Sequence, residues 1–341
     1  MNESQLADWH ERALSIEIEL GKAVLGQAHV IRMLTVAVFA RGHVLLEGDV
    51  GVGKTTLLRA MAQVLGGGYE RIEGTVDLMP GDLLYHTYVA DDGRPRVEPG
   101  PLIRGGDALS IFFFNEINRA RPQVHSTILR AMAERRVNAF NREYELPHML
   151  VFADRNRLER EETFELPSAA RDRFLMEITV DIPDDPEVLR QLMFDTRFHN
   201  VDRLLGSLLS PLLSYSELNR VAEQIQARTG ASETLQRYAM NLVAATRSPA
   251  AYGVSLSDID TSDLVRAGVS PRGMSMLMQA ARVIAWLNDR DRVVPEDLQA
   301  VFRETVAHRI VFEPVYELQR AVLLQGLVDQ ILAQVSSPSY G

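Results

Sequence analysis

Eight consecutive residues constrain this chain most: Gly48-Asp49-Val50-Gly51-Val52-Gly53-Lys54-Thr55 fits the pattern G-x-x-x-x-G-K-[ST]. Such a loop works between a buried strand and a helix, and both are expected here. Val44-Leu45-Leu46 is a short apolar run bounded by Gly42 and Gly48. Residues 55–65 then place Leu57, Leu58, Met61 and Val64 on one helical face, before Gly66-Gly67-Gly68. Phosphate oxygens need several backbone N–H donors converging on one point, and glycines let the chain wrap that closely. The helix N-terminus adds partial positive charge. Lys54 would reach the β- and γ-phosphates, and the Thr55 hydroxyl would face Mg²⁺. The ligand expected at residues 48–55, with Thr56 beside them, is ATP with Mg²⁺. A glycine turn that binds nothing is the plain alternative, but the full pattern at a strand-to-helix junction rarely arises by chance.

A P-loop ATPase also needs a second strand ending in acids, one for the metal shell and one to activate water. Ile111-Phe112-Phe113-Phe114-Asn115-Glu116 has that form with one departure. Asn115 stands where an aspartate is expected. Its amide would serve the metal through a bound water and brings no charge. Glu116 is the candidate base. A third buried strand, 149–153, leads into Asp154-Arg155-Asn156-Arg157. Asn156 there could orient the attacking water or touch the γ-phosphate, although an asparagine after a strand is by itself an ordinary turn residue. Arg171 and Arg173, and Arg272 in Ser270-Pro271-Arg272-Gly273, are ambiguous alone, because surface and first-turn arginines are common.

A fourth strand is expected over 177–182, near an edge, and a helix over Pro122–Glu134. Strands separated by helices imply right-handed crossovers and a parallel sheet between helices. Pro183-Asp184-Asp185-Pro186 marks a change, and beyond it the patterning is helical, over 217–227, 233–245, 270–287, 295–308 and 315–335, with no evident strand. The expected organisation is a nucleotide-binding domain over 1–183, a linker over 184–204 and an α-helical lid over 205–341.

Composition narrows the function. With 341 residues, 46% hydrophobic and 24% charged, the chain can bury a core without staples. It has no cysteine, which excludes disulfides, thiolate metal sites and cysteine nucleophiles. A formal net charge of −10 argues against nucleic-acid binding, which needs a positive field. The start, Met1-Asn2-Glu3-Ser4, lacks the pattern of a secretory signal. The apolar run 33–40 is far short of the ~20 residues that cross a bilayer. A cytoplasmic protein without a membrane segment is expected.

Together these segments resemble the MoxR family of AAA+ ATPases, from about Val24 to Ile310. The carriers in the first part are Val24-Leu25-Gly26-Gln27, the P-loop, Asp77-Leu78-Met79-Pro80-Gly81-Asp82-Leu83, Pro99-Gly100-Pro101-Leu102 and Asn115-Glu116-Ile117-Asn118-Arg119-Ala120. Leu129-Arg130-Ala131-Met132-Ala133-Glu134-Arg135-Arg136 and the stretch 164–174 continue the match. Ser270-Pro271-Arg272, Val294-Pro295-Glu296-Asp297-Leu298 and His308-Arg309-Ile310 carry it through the lid. The resemblance implies a five-stranded parallel P-loop αβα core followed by an all-α lid. It implies Val24 and Leu25 lining the adenine pocket, Asn156 as sensor 1, Arg272 as sensor 2, and Arg173 as an arginine finger acting on ATP held by the neighbouring subunit. That requires a homo-oligomeric ring, usually a hexamer. Residues 75–100 would carry a helix-2 insert, with Asp91-Asp92-Gly93-Arg94-Pro95 as the turn at its tip. Asp154-Arg155-Asn156-Arg157 departs from the family's T-Q-N-P, so Arg155, Arg157 and Arg171 also stand as candidates for the finger.

The family's role would be a chaperone-like one: remodelling, activating or loading metal or cofactor into a client protein, through an adaptor with a von Willebrand factor A domain. Three other readings stand beside it. Asn115 suggests a nucleotide-gated binding module that hydrolyses very slowly. A metal chelatase-type ATPase subunit has a similar architecture. A nucleic-acid motor is disfavoured by the acidic balance.

Overall fold

The computed structural model describes residues 3–156, 164–257 and 259–338; Arg157 lies outside them. The chain opens with helices α1 (Glu3–Ala23) and α2 (Ala28–Phe39), then strand β1 (Val44–Glu47), α3 (Lys54–Leu65) and β2 (Gly68–Glu73). A hairpin of β3 (Tyr85–Val89) and β4 (Pro95–Pro99) precedes β5 (Leu109–Asn115) and α4 (Pro122–Glu134). A second hairpin, β6 (Arg136–Ala139) with β7 (Arg142–Glu145), leads to β8 (Leu150–Arg155), α5 (Ser168–Arg171) and β9 (Met176–Thr179). Helices α6 (Pro186–Phe194), α7 (Val201–Gly206) and α8 (Leu218–Arg228) follow.

Five strands make one sheet in the order β2-β5-β8-β1-β9. Its middle is apolar because helices cover both faces: Phe112, Phe113, Phe114 and Phe152 are completely buried. Each such ring contributes about 1.5–3 kcal/mol by leaving water. The parallel register sets Leu46 opposite Asp154 and Glu73 opposite Asn115, so the polar residues gather at the strands' C-terminal ends. Ligands of open parallel sheets bind at that end. β2 is the fifth strand, which apolar runs alone did not reveal. It is an edge strand with water along one side, and Tyr69 to Glu73 are half-buried or exposed.

The division of the chain comes later than residue 183. One compact unit holds residues 1–173 and 178–221, the other 174–177 and 222 onward. The stretch 184–204, expected as a linker, folds. Asp185 accepts the Glu187 N–H at 2.8 Å and Pro186 takes the first helical position, so the proline-acid cluster starts α6. α7 docks on α3: Arg59 pairs with Asp202 at 2.7 Å and Gln63 Nε2 donates to the Leu205 carbonyl at 2.8 Å. Farther on, Leu212 N–H donates to the Val64 carbonyl at 2.8 Å.

The second unit is mainly helical, with α9 (Glu233–Arg247), α10 (Pro271–Leu287), α11 (Pro295–Val306) and α12 (Arg320–Gln334) around Leu277, Ile284, Leu298 and Phe302. A short antiparallel ribbon, β10 (Val265–Ala267) with β11 (Val311–Phe312), adds strands where none was expected. Three and two residues are too few for a periodic signal. Arg309 is buried in this unit and donates to the Phe174 carbonyl at 2.6 Å. Among the described residues no helix is long and apolar enough to cross a membrane.

Candidate active site

The loop after β1 has the form its sequence requires. Gly53 holds φ +91 immediately before α3, a left-handed conformation that side chains resist. The first turn of α3 carries no acidic residue and Gly53 offers no side-chain cap, so backbone donors and helix dipole are left for an external anion. Lys54 is buried, with Nζ 2.5 Å from the Gly48 carbonyl and 3.0 Å from that of Asp49. A Cβ placed on Gly53 would lie 4.0 Å from Val24 Cγ1, so Val24 flanks the loop.

A cleft of about 410 Å³ opens over this loop. Residues 49–56 form one side; Arg71, Glu73, Asn115, Glu116, Asp154 and Asn156 complete the lining. The structure thus brings the P-loop, the pair Asn115 and Glu116, and Asn156 together from three separated segments. A hollow of similar size beside Arg59 and Tyr69 has its arginine committed to Asp202.

Glu116 sits at the end of β5 with φ +53, where a side chain costs about 1–3 kcal/mol. Three contacts hold it there. Its N–H donates to Asp154 Oδ1 at 2.5 Å. Gly74 N–H donates to the Asn115 carbonyl at 2.7 Å, and a Cβ on Gly74 would come 2.1 Å from the Glu116 carbonyl oxygen, so only glycine fits. The buried His125 ring meets the Ile117 carbonyl at 2.6 Å, and burial lowers its pKa. The Glu116 carboxylate pairs with Arg119 at 3.0 Å.

Asp154 and Glu73 were missed as site residues. Asp154 is 2% exposed, 3.3 Å from Lys54 Nζ. Burial raises its pKa, against the opposing pull of the Glu116 amide and of Lys54. Its signal lies in the segment Asp154-Arg155-Asn156-Arg157, where the two arginines are the more conspicuous departure. Glu73 accepts from Asn115 Nδ2 at 2.7 Å and pairs with Arg71 at 2.7 Å. Nothing in the sequence singled it out, because an acid on a half-exposed edge is commonplace.

The arginines separate. Arg155 pairs with Glu47 at 3.1 Å within its own subunit. Arg171 is the last residue of α5. Arg173 follows that helix, is absent from the cleft lining, and donates from Nη1 to the Ala169 carbonyl at 2.9 Å. Arg272 is the second residue of α10 in the second unit, where Ser270 Oγ accepts the Gly273 N–H at 3.0 Å.

Similarity to known proteins agrees with this geometry. Residues 43–176 match the model of the ATPase family associated with various cellular activities (AAA), and residues 258–325 match the AAA lid domain. The chain is 55% identical to Protein MoxR of Methylorubrum extorquens, covering 98% of both chains. It is 53% identical to Protein MoxR of Paracoccus denitrificans, covering 99% of both. The chain belongs to the MoxR family of AAA+ ATPases. This MoxR-family chain is also 32% identical to Chaperone MoxR1 of Mycobacterium tuberculosis over 96% of its length and 82% of that protein. Its fold matches a crystal structure described as a candidate ATPase from Cytophaga hutchinsonii, with TM-score 0.83 and 28% identity over 99% of this chain and 98% of that one.

The donor set fits a magnesium ion that arrives with nucleotide. Among the described residues, no group of three or more His, Asp or Glu could hold a metal by itself. Mg²⁺ at such sites takes one or two protein ligands and completes its octahedron with phosphate oxygens and water. Thr55, Asn115 and Glu73 line the cleft, and their side-chain oxygens are the kind of donors such an ion would use.

Proposed function

We propose that this chain hydrolyses Mg-ATP in the cleft over its P-loop and uses the cycle to remodel, activate or load metal or cofactor into a client protein. The observation that carries the hydrolytic part is the convergence of Lys54, Glu116 and Asn156 on one cleft. Backbone amides of residues 48–55 and Lys54 would bind the phosphates, and Val24 and Leu25 the adenine. Mg²⁺, held by Thr55 and through a water by Asn115, would neutralise charge on the β- and γ-phosphates. Glu116 would take the proton of the attacking water and Asn156 would orient it. The name of the mycobacterial relative, a chaperone, supports the client role.

Arg272 would act as sensor 2. Arg173 would complete the site of a neighbouring subunit in a homo-oligomeric ring, which we propose to be a hexamer in the cytoplasm, working with a von Willebrand factor A adaptor. The absence of Arg173 from its own cleft's lining and the ion pair that engages Arg155 favour Arg173 over Arg155 for that task. We read the exposed hairpin 85–99 as the helix-2 insert.

Subunit mixing tests the reading. Lys54→Ala and Arg173→Ala should each lose ATP turnover as pure rings. Mixed and reassembled, they should regain it, because some interfaces would pair an intact P-loop with an intact arginine. Mixed rings as inactive as the pure ones would overturn the trans-acting role of Arg173.

A further inference from the structure

We infer that Glu73, on the edge strand β2, supplies the negative charge that β5 lacks on the metal side of the cleft. Asn115 serves by presenting that carboxylate. The inference rests on the reading of the cleft as a Mg-ATP site, and it assigns a positioning role to a pair of residues instead of leaving Asn115 as a defect.

Parallel pairing sets Glu73 directly opposite Asn115, and both line the cleft. A carboxylate can only accept, so the Asn115 amide must turn its nitrogen to Glu73, and it does, with Nδ2 2.7 Å from Oε1. The amide carbonyl Oδ1 remains as the acceptor that a metal-bound water needs. Arg71 holds the other Glu73 oxygen at 2.7 Å and fixes the carboxylate's orientation. Each carboxylate oxygen has a second lone pair, so Oε1 can take a hydrogen bond from a metal-bound water while it keeps the one from Asn115.

The alternative arrangement is disfavoured by charge. The cleft already gathers Glu73, Glu116 and Asp154 against Lys54 and Arg71. An aspartate at 115 would put a second carboxylate within hydrogen-bond distance of Glu73, with no proton between them. Like charges that close destabilise the ionised pair. Amide and acid must therefore be shared between 73 and 115, one of each, and this chain places the acid on β2.

The test is an exchange of the two groups, read by titration calorimetry of ATPγS with and without Mg²⁺. Wild type should bind more tightly with Mg²⁺. Glu73→Gln should lose that Mg²⁺-dependent gain by about tenfold or more, as expected for a charged hydrogen-bonding group, while binding without Mg²⁺ stays within about twofold. Asn115→Asp should also weaken Mg²⁺-dependent binding, because it repels Glu73. The double variant Glu73→Gln with Asn115→Asp, in which the amide on β2 donates and the acid moves to β5, should recover most of the gain. Thermal unfolding of all three variants distinguishes a folding defect from a binding one, and recovery in the double variant excludes a merely unfolded single. Wild type that shows no Mg²⁺-dependent binding would overturn the Mg-ATP site itself. Wild type that shows it, with Glu73→Gln unchanged or Asn115→Asp improved on its own, would overturn the role of Glu73 alone.

Discussion

The phosphate loop is eight consecutive residues, whereas the acid end of the sheet is assembled from three strands. Glu73 and Asn115 are 42 residues apart in the chain, and Glu116 and Asp154 are 38 apart. The loop is local: its glycines, the Lys54 cation, the Thr55 hydroxyl and the start of α3 all come from one strand-to-helix junction. The acid end is tertiary. Glu116 is held at a strained φ by the hydrogen bond its N–H donates to the Asp154 carboxylate on β8, by the close approach of Gly74 at the end of β2, and by the turn that His125 braces from α4. Substitutions in the loop should therefore act directly on nucleotide affinity. Substitutions around the acid end should act through placement, even where no reacting atom is touched.

The largest effect is expected at the loop. Lys54→Ala should weaken ATP binding by about a hundredfold or more, since on the proposed reading it removes the loop's one side-chain cation from the phosphates. Equilibrium binding of a fluorescent ATP analogue measures it. Near-wild-type affinity would mean that the backbone amides suffice and that the loop does not depend on its lysine.

Gly74→Ala should divide the two regions. The added methyl would meet the Glu116 carbonyl at 2.1 Å, so the end of β2 or Glu116 must shift. A displacement of this kind should lower turnover by about tenfold or more, with Mg²⁺-free nucleotide affinity little changed. Equal losses in both quantities would show that loop and acid end are one mechanical unit.

A smaller effect is expected from pH. His43 is buried and accepts the Val151 N–H on Nδ1 at 2.9 Å; burial, with Arg135 nearby, keeps its pKa well below 6.5. His125 is lowered by burial too. Both therefore take up protons less readily in the folded protein than in the unfolded chain, which protonates as pH falls below 6.5. The unfolded state then binds more protons, so stability is full above about pH 6.5 and declines below it, by up to about 1.4 kcal/mol per pH unit for each histidine. Thermal unfolding between about pH 7.5 and 5.5 should show that decline, and His125→Gln, whose amide can still donate to Ile117, should make it shallower. A flat profile would mean that these rings take up protons equally in the folded and unfolded states.

The same contrast explains what could be read before the fold was known. Gly48 to Thr55 and Phe112 to Glu116 are contiguous, so each announced itself with its flanking strand and helix. Asn156 was legible as a residue beyond a buried strand. Glu73 was not, because β2 is an edge strand whose half-wet residues lack an apolar run, and its value comes from a partner 42 positions away. Asp154 was in view but silent, since a carboxylate at a strand end gains meaning only from Lys54 and the Glu116 amide. The hairpin 136–145 and the ribbon β10–β11 escaped for a simpler reason: strands of two to four residues carry no usable period. The proline-acid cluster at 183–186 suits a domain border, but those residue types equally begin a helix, and here they start α6.

In the proposed function, Glu116 activates water in a cleft that would bind nucleotide without it. Steady-state ATP turnover and nucleotide occupancy of Glu116→Gln, measured together on the assembled oligomer, separate those two properties in one variant. Turnover should fall by about a hundredfold or more, with ATP retained in the cleft. Turnover equal to wild type, with ATP bound and the oligomer intact, would contradict the role of Glu116 as the base.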